Sequence, residues 1–345
     1  MGSDSKKDTG KLKKKLLIIL CVILAVILIG LLAACFALDA LLDGINRLDP
    51  DQVYGPKEPD LLFEESEPLE TDPITDQAEP IFKDANVINI LFVGQDRREN
   101  EENVPQRSDS MIMCTLNKKT GTLTLTSFMR DLWVYIPEHY NQRLNMPYKL
   151  GGFSLLNKTL EYNFGVSADY NIEMNFYGFM EAIDIIGGVE IELTEAEAEY
   201  LNRRGNWDIE ENMHWQLKEG VNLLTGSQAL AYSRIRQIGT DFGRTNRQRT
   251  VLTALIEKAK TLKATELYAL ARKLIPLIST DMTNGQIIGL IMETLPMLSD
   301  LKIVSQRIPT DRQYEFAKKG GADVIVMNKK QLKVNKKLLA ETMGE

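Results

Sequence analysis

The chain of 345 residues carries 41 Lys and Arg against 48 Asp and Glu, a formal net charge of −7, with 44% hydrophobic residues. That composition supplies cores for one or two domains and excludes a globally disordered or collagen-like chain. The acidic balance excludes a general nucleic-acid binder, whose domain would be basic overall. Cys21, Cys35 and Cys114 are too few for a disulfide framework. His139 and His214 are too few and too isolated for a histidine zinc site or a catalytic triad, so any metal here would be held by carboxylates.

In chain order, Lys6, Lys7, Lys11, Lys13, Lys14 and Lys15 form a basic tail over residues 1–15. Residues 16–38 then run without a charge, and 23 residues at about 1.5 Å each reach roughly 34 Å, enough to cross a hydrocarbon core. The lysines stay on the cytoplasmic side, which predicts a single-pass cell-membrane protein with its folded part outside the cell. A cleaved signal peptide is the competing reading, and Leu32-Ala33-Ala34-Cys35 resembles a lipobox whose cysteine would be lipidated. Residues 39–85 follow as an acidic spacer. Between 49 and 84 only Lys57 and Lys83 oppose twelve acidic residues, and half of the chain's 12 prolines fall there, so the composition predicts an extended, self-repelling stalk.

The folded part begins at residue 86 and runs to 345. Val87 to Gly94 reads as a buried strand, and Ser110 to Leu116, a turn at Lys118 to Gly121, and Thr122 to Phe128 read as a hairpin. Helical periodicity appears in Ser154 to Asn163 and Phe176 to Ile186, the latter stopped by Gly187-Gly188 before a strand at Val189 to Leu193. Gly226 to Ser233 is ambiguous between helix and strand. Thr245 to Leu262, Glu266 to Leu274 and Gly285 to Leu295 read as helices. Without a regular βαβ alternation, an α/β sandwich around a mixed sheet is expected rather than a doubly wound nucleotide fold.

Chemistry concentrates in two places. Arg234, Arg236, Arg244, Arg247 and Arg249 crowd a short stretch of an acidic chain, with Asp241 and Gln248 among them. Arg234 and Arg236 share a side of an extended segment, while Arg244, Arg247 and Gln248 are spaced to converge at a helix start. Guanidinium forks beside a helix N-terminus fit a phosphate or pyrophosphate. The competing reading is a solvated, salt-bridged helix face. The second place is acidic. Asp96 lies just past a strand end and Asp109, after Arg107, opens the next strand, a pair suited to magnesium sharing its shell with substrate phosphates. Asp109 could equally cap a turn. Arg130-Asp131 ends the following strand, either beside them or paired with each other.

These segments together resemble the LytR-CpsA-Psr family of membrane-anchored cell-wall phosphotransferases. The resemblance runs from about Asn89 to the C-terminus. It is carried by Asn89 to Arg97, Arg107 to Met111, Ser127 to Asp131, Asn145, Gly187 to Glu190, Ala229 to Arg236, Asp241 to Arg244 and Arg247-Gln248. Met129 stands where the family often has proline, and Arg143 where a lysine is common. The resemblance implies a three-layer α/β/α sandwich, Asp96 and Asp109 as magnesium ligands with manganese as a substitute, and Arg107, Arg130, Arg234, Arg236, Arg244, Arg247 and Gln248 on a pyrophosphate. Its substrate would be a polyprenyl-diphosphate-linked glycopolymer, such as teichoic acid or capsular polysaccharide. The acceptor would be a peptidoglycan or wall-sugar hydroxyl, and polyprenyl phosphate would be released. Arg130, Asp131, Arg234, Arg236 and Asp241 would act at the reacting phosphate, with Asp131 the preferred base. A polyprenyl-pyrophosphate hydrolase and a non-catalytic isoprenoid-phosphate-binding regulator are the competing functions.

Overall fold

The computed structural model describes residues 37–48, 77–95, 107–203 and 215–344. The expected membrane span at 16–38 lies outside these residues save its last two positions, as do 49–76 of the expected stalk, Asp96 and His214. Among the described residues no helix is long and apolar enough to cross a membrane.

Alternation of buried and half-buried residues along β2 (Val87–Gln95) marks a strand with both faces covered, and it lies at the heart of a seven-stranded sheet. Beyond β1 (Asn46–Arg47), β3 (Ser108–Asn117) and β4 (Thr122–Phe128), the sheet takes β7 (Tyr170–Asn175), β10 (Ile278–Thr280) and β11 (Lys302–Ile308). The order is β1-β10-β7-β2-β3-β4-β11. β2, β3 and β4 form an antiparallel meander, whereas β7 runs parallel to β2 and β11 parallel to β4, so the sheet is mixed as expected. The ends of β2, β4 and β11 and the start of β3 therefore lie along one rim of the sheet.

One face packs against α1 (Met146–Phe164) and α8 (Lys329–Met343). Leu91, Val93, Met111 and Met113 of the sheet bury with Tyr148, Phe153, Leu156, Leu160 and Leu339. The opposite face is covered by α2 (Phe176–Ile185), α4 (Gly226–Arg234) and α5 (Asp241–Lys260). A second cluster, with Ile183, Ile191, Leu201, Ala229, Ile235 and Val251, joins these helices to β8 (Val189–Leu193), paired with β9 (Gly220–Leu224), and to α3 (Glu195–Asn202). α6 (Ala264–Leu274) completes the helical block.

The sequence fell short in three places. α1 starts at Met146 rather than Ser154, because Gly151 and Gly152 leave helical geometry and hide the first turns from a periodicity search. Gly226 onward is helical, decided by a reciprocal cap in which Thr225 accepts from the Gln228 N–H and Gln228 reaches back. The stalk boundary also shifts. β1 pairs with β10, and the Ala78 and Ile81 N–H groups donate to the carbonyls of Tyr162 and Gly165, so Asn46, Arg47, Ala78 and Ile81 of the acidic segment belong to the larger folded unit. Among the described residues, 37–44 with 283–293 form a separate small unit. Within it Asn284, opening α7 (Asn284–Thr294), donates to the carboxylates of Asp39 and Asp43 at 3.0 Å each.

Candidate active site

The sheet rim is built so that charges meet. Where β2 pairs with β3 the ladder slips: Gly94 faces Ser110 while Gln95 faces Ser108, leaving Asp109 without a cross-strand partner. Such a bulge re-aims a side chain, and the Asp109 carboxylate accepts from Arg130 at 2.6 Å. A side chain at Gly94 would meet the Ser110 Cβ at 3.1 Å, so the close approach of the two strands favours glycine there. Arg130 follows β4 in a tight turn closed by the Leu132 N–H on the Met129 carbonyl. Asn145, buried at the start of α1, ties these pieces together. Its N–H donates to the Arg130 carbonyl (3.1 Å) and its own carbonyl accepts from Ser108 (3.3 Å).

Arg130 stands among three carboxylates: Asp109, Asp131 at 3.5 Å and Asp241 at 3.6 Å. Asp241 opens α5 and binds Arg244, one turn along, at 2.8 Å. Thr245 fixes that helix end to the turn, donating to the Asp241 carbonyl at 3.0 Å and to the Met129 sulfur at 3.4 Å. The sequence-based list of site residues omitted Arg143, which reaches Asp131 at 3.5 Å from β6 (Asn141–Arg143), paired with β5 (Trp133–Tyr135). Its signal was the charge at the position where the family carries a lysine.

Burial opposes the charge on Arg130, but Asp241, Asp131 and Asp109 outweigh it and hold the guanidinium more firmly protonated than usual. Burial pushes the Asp131 carboxyl up, a shift that Arg130 opposes and Asp241 reinforces. For Arg244 burial dominates and lowers the pKa, with Asp241 opposing and the charges of Arg130 and Arg236 adding to it. Several buried polar atoms here have no hydrogen-bond partner within the protein: Asp241 Oδ2, Arg244 Nε, Ser127 Oγ, Ser108 Oγ and Asn145 Oδ1. Unsatisfied groups clustered at one place call for a polar ligand.

The remaining expected residues divide. Arg234 ends α4 and Arg236 follows it, both exposed on either side of the buried Ile235. Arg107 is exposed beside Ser108, and Gln248 is half-buried one turn beyond Arg244. Arg247 does not join the cluster. It is buried, with Nε on Glu197 of α3 at 2.7 Å and its terminal nitrogens on the carbonyls of Ile235 (3.2 Å) and Ile238 (2.8 Å). The convergence expected from helical spacing fails for Arg247 because its position on α5 faces α3 rather than the rim. Arg249 also turns away, donating to Ser305 of β11 at 2.6 Å.

Beside the charges, between the sheet and the second helical layer, lies a cavity of about 100 Å³. Phe92, Ile112, Met174, Phe179, Leu230 and Leu252 make it apolar, while Ser110, Ser233 and Gln248, neighbours in sequence or helix turn of Asp109, Arg234 and Arg244, mark its polar end. An apolar pocket whose polar lining residues adjoin, in sequence or by one helix turn, members of a convergent charged cluster suits an amphiphile with an anionic head. The carboxylate oxygens at the rim suit a hard cation such as magnesium. Among the described residues no group of three His, Cys, Asp or Glu side chains could hold one alone.

The sequence pattern of the LytR_cpsA_psr family matches residues 62–341. The polyisoprenyl-teichoic acid–peptidoglycan teichoic acid transferase TagT of Bacillus subtilis (strain 168) is 30% identical over 259 residues, spanning 74% of this chain and 77% of TagT. The corresponding transferase TagU of Bacillus cereus is 31% identical over 211 residues, 60% of this chain and 64% of TagU. Among solved structures, TagT bound to LIIa-WTA superposes with a TM-score of 0.61 at 24% identity, covering 78% of this chain and 97% of that one. TagT with bound octaprenyl pyrophosphate gives 0.58 at the same identity and coverage. These structural likenesses establish the mixed α/β fold, and the family pattern extends over most of the sequence: the chain belongs to the LytR_cpsA_psr family.

Proposed function

We propose that this protein transfers an anionic glycopolymer from a polyprenyl-diphosphate carrier to a hydroxyl of peptidoglycan or a related wall sugar. The observation that carries the reading is the Arg130–Asp109–Asp131–Asp241–Arg244 cluster, with its unpartnered buried polar atoms, together with an apolar cavity whose Ser110 and Gln248 are neighbours of Asp109 and Arg244. The names of the TagT and TagU relatives point the same way. The cavity receives the first isoprene units and the arginines hold the pyrophosphate. The acceptor oxygen bonds to the glycan-bearing phosphorus, the bond from that phosphorus to polyprenyl phosphate breaks with its electron pair leaving on the lipid phosphate, and a carboxylate takes the hydroxyl proton. Asp131 suits that role because burial raises its proton affinity. Phosphoryl transfer asks chiefly for positioning and charge neutralisation, which Arg130, Arg244, Arg234 and Arg236 supply.

Asp109, together with Asp96, would hold a magnesium ion, for which the oxygen-only donor set and the buried, unpartnered Asp241 Oδ2 are fitting neighbours. When bound, the ion neutralises charge on the phosphate oxygens. The deciding assay supplies a lipid-diphosphate glycan and peptidoglycan oligomers and follows polyprenyl phosphate release together with glycan attachment. Attachment is expected, lost in chelator and restored by magnesium or manganese, and Asp109→Asn should abolish the metal-dependent rate without unfolding the protein. Release without attachment would identify a pyrophosphatase instead, and tight lipid binding without release a non-catalytic binder.

Two further results are expected. Leu252→Trp fills the cavity and displaces at least two methylenes of lipid, about 0.8 kcal/mol each, raising KM for a long-chain donor roughly tenfold. A water-soluble donor carrying no isoprene unit should keep its KM, and an equal effect on both would place the lipid elsewhere. For topology, a reporter fused after Glu345 should be active outside the cell and silent inside. Cytoplasmic activity would refute the single-pass, N-terminus-in arrangement.

A further inference from the structure

We propose that Phe242, Tyr314 and Phe316 form a stacking platform for a sugar ring of the acceptor glycan, a reading that rests on the transferase function above. The three rings form one cluster: Phe242 and Tyr314 have centroids 4.7 Å apart, Tyr314 and Phe316 5.4 Å, and Phe242 and Phe316 6.2 Å. The Arg307 guanidinium lies 4.2 Å over Phe242, and its hydrogen bonds to the Pro309 carbonyl and the Asp311 carboxylate hold it there. Phe242 and Tyr314 pack partly against the core, but Phe316 is 68% exposed. Folding alone does not call for that ring. A rigid aromatic patch edged by charged groups marks a binding surface, and a pyranose offers the matching chemistry, an apolar C–H face with hydroxyls around its edge.

The platform is tied to the reacting groups. Phe242 directly follows Asp241 on α5. Phe316 lies on β12 (Glu315–Lys319), opposite Ile325 of β13 (Ala322–Val326), and the Ile325 N–H donates to the Asp131 carbonyl at 2.8 Å. Its side relative to the lipid selects the occupant. Along the sheet rim the cavity takes residues of β7, β2 and β3, the charged cluster follows at the start of β3 and the end of β4, and Arg307 belongs to β11 beyond them. In an in-line displacement the attacking hydroxyl approaches opposite the departing lipid phosphate. With the lipid on the β2–β3 side, the β11 side is where the acceptor must stand.

The test uses the full chain in detergent, Phe316→Ala and Phe316→Trp variants, and two measurements. A soluble peptidoglycan tetrasaccharide, with no donor present, should bind wild type and Phe316→Trp alike and Phe316→Ala roughly three- to tenfold more weakly, the worth of one aromatic stacking contact. In turnover, Phe316→Ala should raise the acceptor KM by the same factor, leaving kcat and the donor KM unchanged. Unaltered tetrasaccharide affinity in Phe316→Ala overturns the platform, and a rise confined to the donor KM assigns the rings to the donor sugar. A wild type that binds the tetrasaccharide through Phe316 yet never turns over donor would refute the transferase reading and leave the platform standing.

Discussion

Arg130→Lys should lower kcat/KM by roughly 10² to 10³, the loss typical of one preorganised donor in a water-poor site. Lysine keeps the charge, so the effect isolates geometry. Three different nitrogens of Arg130 face three different carboxylates: NH1 to Asp109, Nε to Asp131 and NH2 to Asp241. A single ammonium cannot span them. Arg130→Ala should do more, because it also removes the charge that restrains the Asp131 carboxyl from rising further. The sign follows from the direction of that shift. A base whose pKa is raised accepts protons at higher pH, so the acid limb of the rate profile is displaced upward from that of an ordinary aspartate and should move further up in Arg130→Ala. Activity in Arg130→Lys within twofold of wild type would show that the fork is structural.

The second large effect should fall on stability. Arg247→Ala leaves Glu197 buried without its partner, at a cost of about 3–5 kcal/mol, or roughly 6–20 °C in melting temperature for a domain of this size. The two side chains are only 7% and 10% exposed, so solvent screens the pair little. The same substitution releases the carbonyls of Ile235 and Ile238, loosening the segment that carries Arg236. Replacing both partners with apolar residues, Arg247→Met with Glu197→Leu, should recover much of the stability, since a buried ion pair is costly mainly when broken. Unfolding curves of the three proteins decide it. An Arg247→Ala protein as stable as wild type, yet a hundredfold slower, would return Arg247 to the phosphate site.

Strand and helix identities were legible where burial repeats along the chain. β2 alternates strictly, β8 reads inward and outward at every step, and α2 ends at a glycine pair. β11 was not legible, because its exposed and half-buried pattern reflects an edge strand that belongs to the sheet only through pairing with β4, nearly two hundred residues earlier. The hairpin of β12 and β13 is local, but β12 is mostly exposed and shows no buried alternation, so it was missed, and with it the aromatic patch, whose three members share no sequence period.

Residue types read together with hydrophobic periodicity put arginines and carboxylates at strand ends and at one helix start, where guanidinium forks can meet phosphate or carboxylate. They could not say which arginines meet the carboxylates. Arg244 and Arg247 are three apart on α5 and look equivalent in sequence, but Arg244 turns to Asp241 and Arg247 to Glu197. Likewise Asp109 reaches Arg130 through a slipped register between β2 and β3, which exists only once both strands are paired. Side-chain chemistry is local and written in the sequence. Convergence is set by packing between elements far apart in the chain, and for α5 it was the positions of α3 on one side and of the sheet rim on the other that separated a site residue from a scaffold residue.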